Sequence, residues 1–187
     1  MLTEDDANTL ACAFVHSKLD YGNALLYNTS NENLKKMQRL QNALARVVKQ
    51  APRRSPSLPI LKQLHWLPVK ARINFKIASL TYKVLNTGEP VQLRELLKNY
   101  SSTREQRQRY VNTLVKPRTH LTLSDKSFSI AAPEVWNNLS IDLRTESSYS
   151  RFHKSLKSAL FNSTFDWSRD LSKRLRFDAP SLTNGAI

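Results

Sequence analysis

Glycine occurs only three times in this chain of 187 residues, at positions 22, 88 and 185. A chain so poor in the one residue that enters left-handed backbone freely is not built around Gly-rich phosphate loops. It is equally ill suited to a turn-dense all-β fold. Helical periodicity takes over instead, and the expected fold is mainly α. The expectation is an irregular helical assembly with one or two short β-strands between about 110 and 130 and a disordered C-terminal tail. Four regions follow: a helical region with a basic face over 1–100, an Arg-rich connector over 101–126, a C-terminal helical segment over 127–165 and the tail over 166–187.

The helices announce their ends. Thr3 is placed to cap a first helix whose opening turn holds Glu4, Asp5 and Asp6, where acids favour the helix dipole. Leu10, Phe14 and Val15 are its expected apolar face. Ser30 or Asn31 starts the clearest helix, running to about residue 50. In it Leu34, Met37, Leu40, Gln41, Leu44 and Val48 recur at spacings of three and four. Residues 52–59 form a Pro- and Ser-bearing connector, 59–64 a short helix, and 68–86 a long one with Val69, Ile73, Ile77, Leu80 and Val84 on its buried side. Gly88 stands where a left-handed C-terminal cap belongs. Further on, 131–139 reads as a short helix anchoring Trp136. The last amphipathic helix is expected over 147–161, with Tyr149, Phe152, Leu156 and Leu160 facing inward.

Charge narrows the partner. Lys and Arg number 29 against 15 acids, a net charge of +14. The excess is local: residues 1–30 carry a net −3, residues 31–77 a net +10, and the remainder +7. At about 100° per residue, Lys35, Arg39, Arg46 and Lys49 share one sector of their helix. Arg53, Arg54, Lys70 and Arg72 follow. Such a patch neutralises phosphates, so nucleic acid is the expected partner, although a basic face can also do no more than solvate a helix. His65, Trp66 and Tyr82 are rings that could stack on bases, with Trp66 and Trp136 more naturally core anchors.

Chemistry of other kinds finds no purchase. The only adjacent aspartates, Asp5 and Asp6, open an amphipathic helix and follow no apolar strand, so they read as dipole acids rather than metal ligands. Cys12 and His16 stand four apart on one helical face, a spacing that can hold two zinc ligands. No compact second pair accompanies them, and a core cysteine beside a surface histidine is the plainer expectation. No serine sits in a Gly-x-Ser-x-Gly turn. The expectation is therefore no catalytic residue, no metal site, no cofactor and no small-molecule substrate. A single cysteine and no apolar run of about 20 residues point to an intracellular location, nucleus or cytoplasm, and away from membranes.

The segment Leu64-His65-Trp66-Leu67-Pro68-Val69 reads as a fixed joint: a buried-looking His-Trp pair ends one helix and Pro68 opens the next. It also resembles the region downstream of the reverse transcriptase core in jockey-like and chicken-repeat-like non-LTR retrotransposons. The same resemblance runs in order through Ser17-Lys18-Leu19-Asp20-Tyr21-Gly22-Asn23-Ala24-Leu25-Leu26-Tyr27 and Leu40-Gln41-Asn42-Ala43-Leu44-Ala45-Arg46. It continues through Arg72-Ile73, Phe75-Lys76-Ile77, Thr81-Tyr82-Lys83, Phe128-Ser129-Ile130-Ala131-Ala132-Pro133, Trp136-Asn137 and Phe152-His153-Lys154-Ser155-Leu156-Lys157. The family has Cys where this chain has Gly22, a change expected to weaken a helix by up to about 1 kcal/mol, and Gly where it has Asn28.

The resemblance implies a parent RNA-directed DNA polymerase using Mg2+, of which 1–100 would be a thumb-like region. The palm and its metal-binding aspartates are not represented in the sequence, so no catalytic position carries over and the chain alone is expected to be inactive. The implied partners are RNA, an RNA–DNA duplex and the missing polymerase core. Two other expectations stand beside it: a non-enzymatic helical protein-interaction module, and a retroelement relic.

Overall fold

The helix α5 (Val69–Thr87) is the axis of the structure, a computed structural model that describes residues 3–100, 112–119 and 124–165. Val69, Ile73, Ile77 and Val84 form its expected buried stripe, but Ala71, Ala78, Thr81 and Tyr82 are buried as well. Neighbours therefore cover it on several sides. Small residues at 71 and 78 let helices approach closely, and the Thr81 hydroxyl is satisfied by the Ile77 carbonyl at 2.8 Å. Gly88, at φ +75, ends the helix in the left-handed cap its position announced.

Before α5 come α1 (Glu4–Ala11), α2 (Ser17–Asp20), α3 (Asn31–Val48) and α4 (Ser57–Gln63). After it come α6 (Val91–Glu95), α7 (Phe128–Asn137), α8 (Ile141–Thr145) and α9 (Tyr149–Phe165). Thr3 caps α1 in a reciprocal capping box with Asp6. The link from α1 to α2 is a π-helical segment, Cys12–His16, whose wider turn rotates the register of everything after it. Of the apolar face expected here, Val15 is half-buried but Leu10 and Phe14 are 44% and 70% exposed. Ala11 lies inward before the π-turn, and His16 and Leu19 lie inward from its end onward.

Two further expectations change. Gly22 is not in a helix interior; at φ +63 it turns the chain into the 3-10 segment Asn23–Leu26, so glycine suits the position. Leu40 is 54% exposed, and the buried side of α3 is Gln41, Ala45 and Val48.

Among the described residues there is no β-strand. Asn99 and Leu114 form one isolated antiparallel bridge. Phe128 and Ile130, whose alternation suggested strand, lie in α7, where Ser127 caps a 3.6-residue repeat ending at Trp136. Residues 112–119 form no strand beyond that bridge, and Ser124–Lys126 is a 3-10 turn, so the short strands expected between about 110 and 130 are not formed in the described part of that region. Residues 110–111 and 120–123, most of the 101–126 connector and the 166–187 tail lie outside the described residues.

Two apolar clusters result. One joins α5 to α7, α8 and α9, so residues from 1–100 and from 127–165 share a core. Tyr82 stacks on Phe152 at 4.2 Å between ring centroids and lies near Trp136, which is 2% exposed. The stacking leaves Tyr82 unable to meet a nucleic-acid base. The second cluster gathers Ala11, Ala45, Val48, Ile60, Leu61, Trp66 and Phe165. Helix α9 reaches both, through Phe152 and Leu156 at one end and Phe165 at the other.

Phe152→Ala is expected to cost about 3–5 kcal/mol in urea denaturation, because it empties the centre of the first cluster. Phe14→Ala, on a side chain the sequence alone places inside, is expected to change stability by less than about 0.5 kcal/mol.

Candidate nucleic-acid interface

The joint at 64–69 is assembled from backbone groups that Pro68 leaves in need of partners. Helix α4 ends in a Schellman motif: Trp66 N–H donates to the Leu61 carbonyl at 2.9 Å and His65 N–H to that of Lys62 at 3.1 Å. This requires a left-handed residue at 65, and His65 supplies it at φ +53. His65 is exposed, with its ring tilted against Phe161 at 5.4 Å between centroids, whereas Trp66 is 4% exposed in the second cluster. The Trp66 indole N–H donates to Asn8 Oδ1 at 3.1 Å. Pro68 is the N-cap of α5 and its carbonyl accepts from Arg72 N–H at 3.0 Å.

On either side of Pro68 stand a carbonyl and an N–H that no helix satisfies. Two glutamines of α3 take both. Gln41 Nε2 donates to the Leu67 carbonyl at 2.9 Å, and Val69 N–H donates to Gln38 Oε1 at 2.9 Å. Gln38 Nε2 in turn donates to Gln41 Oε1 at 3.0 Å. The relay fastens the joint to the helix that carries the basic residues, and it brings Lys70 alongside the middle of α3.

The eight basic residues divide. Arg46 donates from Nε to the Ser55 carbonyl at 2.9 Å, holding the connector 52–56 against the end of α3. Lys49 pairs with Glu4 at 2.5 Å, and Arg72 forms a two-pronged pair with Asp20, its Nε at 2.8 Å from Oδ1. These three are tied into the fold by acids and carbonyls of other elements. Lys35 is exposed and pairs with Glu32, its neighbour on the same helix. Arg39, Arg53, Arg54 and Lys70 are exposed and form no ion pair among the described residues, as is also true of Lys36 and Lys62. The free patch is thus narrower than the sequence suggests. The clue was the acidic character of residues 1–30, whose Glu4 and Asp20 are the neutralising partners.

Around the joint lies a cleft of about 510 Å³ that sequence reasoning did not find. Three helical stripes meet in it: Cys12, His16 and Asp20; Arg72, Phe75, Lys76 and Ser79; and Tyr149, His153 and Lys157. Each stripe repeats at three- or four-residue spacing, a signal present in the sequence but divided among distant segments. The Cys12–His16 expectation is inverted, since Cys12 is exposed and His16 is 4% exposed, with Sγ and Nδ1 3.7 Å apart. Among the described residues no three His, Cys, Asp or Glu side chains gather as metal ligands, and no helix is long and apolar enough to cross a membrane. His16 packs edge-on against Trp66 at 4.1 Å. Burial and, secondarily, the Arg72 charge hold its pKa down at about 4.

Comparison with protein-family models, curated proteins and solved structures returns no match.

Gln41→Leu keeps volume but strands the Leu67 carbonyl and Gln38, so a loss of about 1–3 kcal/mol is expected in chemical denaturation. For His16 the folded pKa of about 4 lies below the ordinary 6.5, so between these values the unfolded chain binds more protons. Stability is complete above about pH 6.5 and falls as the pH drops toward 4. His153, held low by burial and by Lys157 and Lys83, adds a slope of the same sign. Urea midpoints across that range should fall with pH, and His16→Gln should flatten the fall.

Proposed function

We propose that this chain is the nucleic-acid-gripping region of a retrotransposon RNA-directed DNA polymerase, downstream of the palm and without catalytic residues of its own. The observation that carries the proposal is the unspent charge: Arg39, Arg53, Arg54 and Lys70 are exposed without an acidic partner among the described residues, next to a joint held by buried hydrogen bonds. Cations that cost nothing to release from internal pairs are the ones available to phosphates. The ordered resemblance over residues 10–161 supplies the family. One backbone detail agrees with it. Where the family has glycine this chain has Asn28, and Asn28 sits at φ +53, the region that glycine enters without strain and asparagine tolerates best among other residues. The polymerase as a whole would work with Mg2+ held by palm aspartates, and this region would hold the phosphate backbone of the template and primer.

A second reading has its own observation. Phe14, Tyr21, Leu25 and Val47 are large apolar side chains left 70%, 89%, 82% and 71% exposed. On this reading these side chains dock a polymerase core or another protein, and the chain serves as an interaction module.

Binding to a short RNA–DNA duplex should weaken steeply with salt. Replacing Arg39, Arg53 and Arg54 by Glu should lower the slope of log affinity against log salt by about one per lost phosphate contact. Affinity that ignores both salt and the triple substitution would leave the protein-docking reading in place. Restoration of primer extension on mixing with a separately expressed fingers-palm fragment would support the polymerase assignment.

A further inference from the structure

The basic surface explains attraction to a phosphate backbone but makes no use of the cleft beside the joint. We infer that this cleft receives one unpaired nucleotide of a bound strand, an inference that rests on the nucleic-acid reading and gives it a second, distinct contact.

Its floor holds unspent hydrogen-bonding capacity. His16 Nε2, Asn23 Oδ1 and Ser79 Oγ have no hydrogen-bond partner, in residues only 4%, 2% and 7% exposed. All three residues line the same cleft. Buried polar atoms are ordinarily paired, and an unpaired one costs about 1–3 kcal/mol. Three of them among the residues lining one cleft are the capacity that polar partners from outside would satisfy. Asn23 keeps its amide nitrogen on Asp20 at 3.2 Å, so its carbonyl can only accept, while the Ser79 hydroxyl can donate or accept. The neutral His16 ring has one nitrogen against Cys12 and one unspent. Donors and acceptors in this mixture match the edge of a nucleobase rather than a simple anion.

The walls suit a flat ring. Phe75 and His153 meet edge to face at 4.7 Å, and Tyr149 lies 5.6 Å from His153. Burial, Lys157 and Lys83 hold the His153 pKa down, so this ring is uncharged near neutral pH and offers an aromatic face. Stacking on such rings is sequence-tolerant, as a gripping region requires. The rim carries Lys76 and Lys157, both exposed and in no ion pair among the described residues. The one acid there, Asp20, is spent on Arg72 and Asn23. A volume of about 510 Å³ lies within the range of small-ligand pockets. The orphan atoms sit behind the cleft surface, so an entering base gains them on a small opening of the wall.

The test is a nuclear magnetic resonance titration of the intact chain with adenosine 5′-monophosphate, uridine 5′-monophosphate, adenosine and inorganic phosphate, in parallel with binding of an RNA–DNA duplex. Both nucleotides should produce saturable shifts at His16, Phe75, His153 and the Trp66 indole. Adenosine and phosphate alone should each bind more weakly. Lys76→Gln and Lys157→Gln, on exposed side chains that leave folding intact, should together weaken nucleotide binding by roughly fivefold. Ser79→Val should weaken both nucleotides without altering the duplex salt slope. Phosphate binding as well as the nucleotides, or nucleotides leaving these residues unshifted, would overturn the inference. If the duplex still binds with its salt dependence in that case, the gripping role survives and only the pocket falls. Nucleotide binding without any duplex binding would instead remove the gripping role and keep the pocket.

Discussion

The hydrogen bond from Gln41 to the Leu67 carbonyl is the contact on which the rest of the structure depends. Proline at 68 removes a donor and stops α4 from running into α5, leaving polar backbone in a buried place. Gln41 and Gln38 resolve this with side chains from α3. Because Gln41 is fully buried, the relay lies out of competition with water and is worth more than a surface bond of the same length. It fixes α3 against the start of α5, and so fixes the basic helix against both clusters. Trp66, held by Asn8 in the second cluster, locks the other side of the joint to α1.

Electrostatics and packing then separate structural cations from available ones. Arg46, Lys49 and Arg72 lie in a basic run but are drawn into the fold by Ser55, Glu4 and Asp20. What remains outside is a smaller set around Arg39, Arg53, Arg54 and Lys70, with Lys76 and Lys157 at the edge of the neighbouring cleft. The N-terminal helices therefore act as counter-charge, α1 for the end of α3 and α2 for the first turn of α5. That division is why a positive stretch of sequence becomes a bounded surface.

Much of this was legible in advance where a signal is local. Caps at Thr3 and Ser30, the Gly88 terminus, and the stripes of α5 and α9 depend on residues within a few turns of each other. The start of α7 at Phe128 is not legible because Phe128 and Ile130 satisfy strand alternation and helical spacing alike. The exposure of Phe14 is not legible because a π-turn at Cys12–His16 leaves no mark in a 3.6-residue pattern. Gln41 appeared in the apolar stripe of α3, a polar residue out of place, and that oddity was the trace of its partner at Leu67. The cleft is not legible in the sequence because its stripes come from three segments, 12–20, 72–79 and 149–157, that are far apart along the chain.

The central claim is that nucleic acid is held on the surface running from the outer face of α3 through 52–56 to the joint and its cleft. Ultraviolet cross-linking of a bound single-stranded RNA, followed by mass spectrometry of the modified peptides, tests it most directly. Cross-links are expected in peptides covering 35–54, 62–76 and 149–157. Cross-links confined to other segments, or efficient binding with no cross-link in these three, would contradict the account.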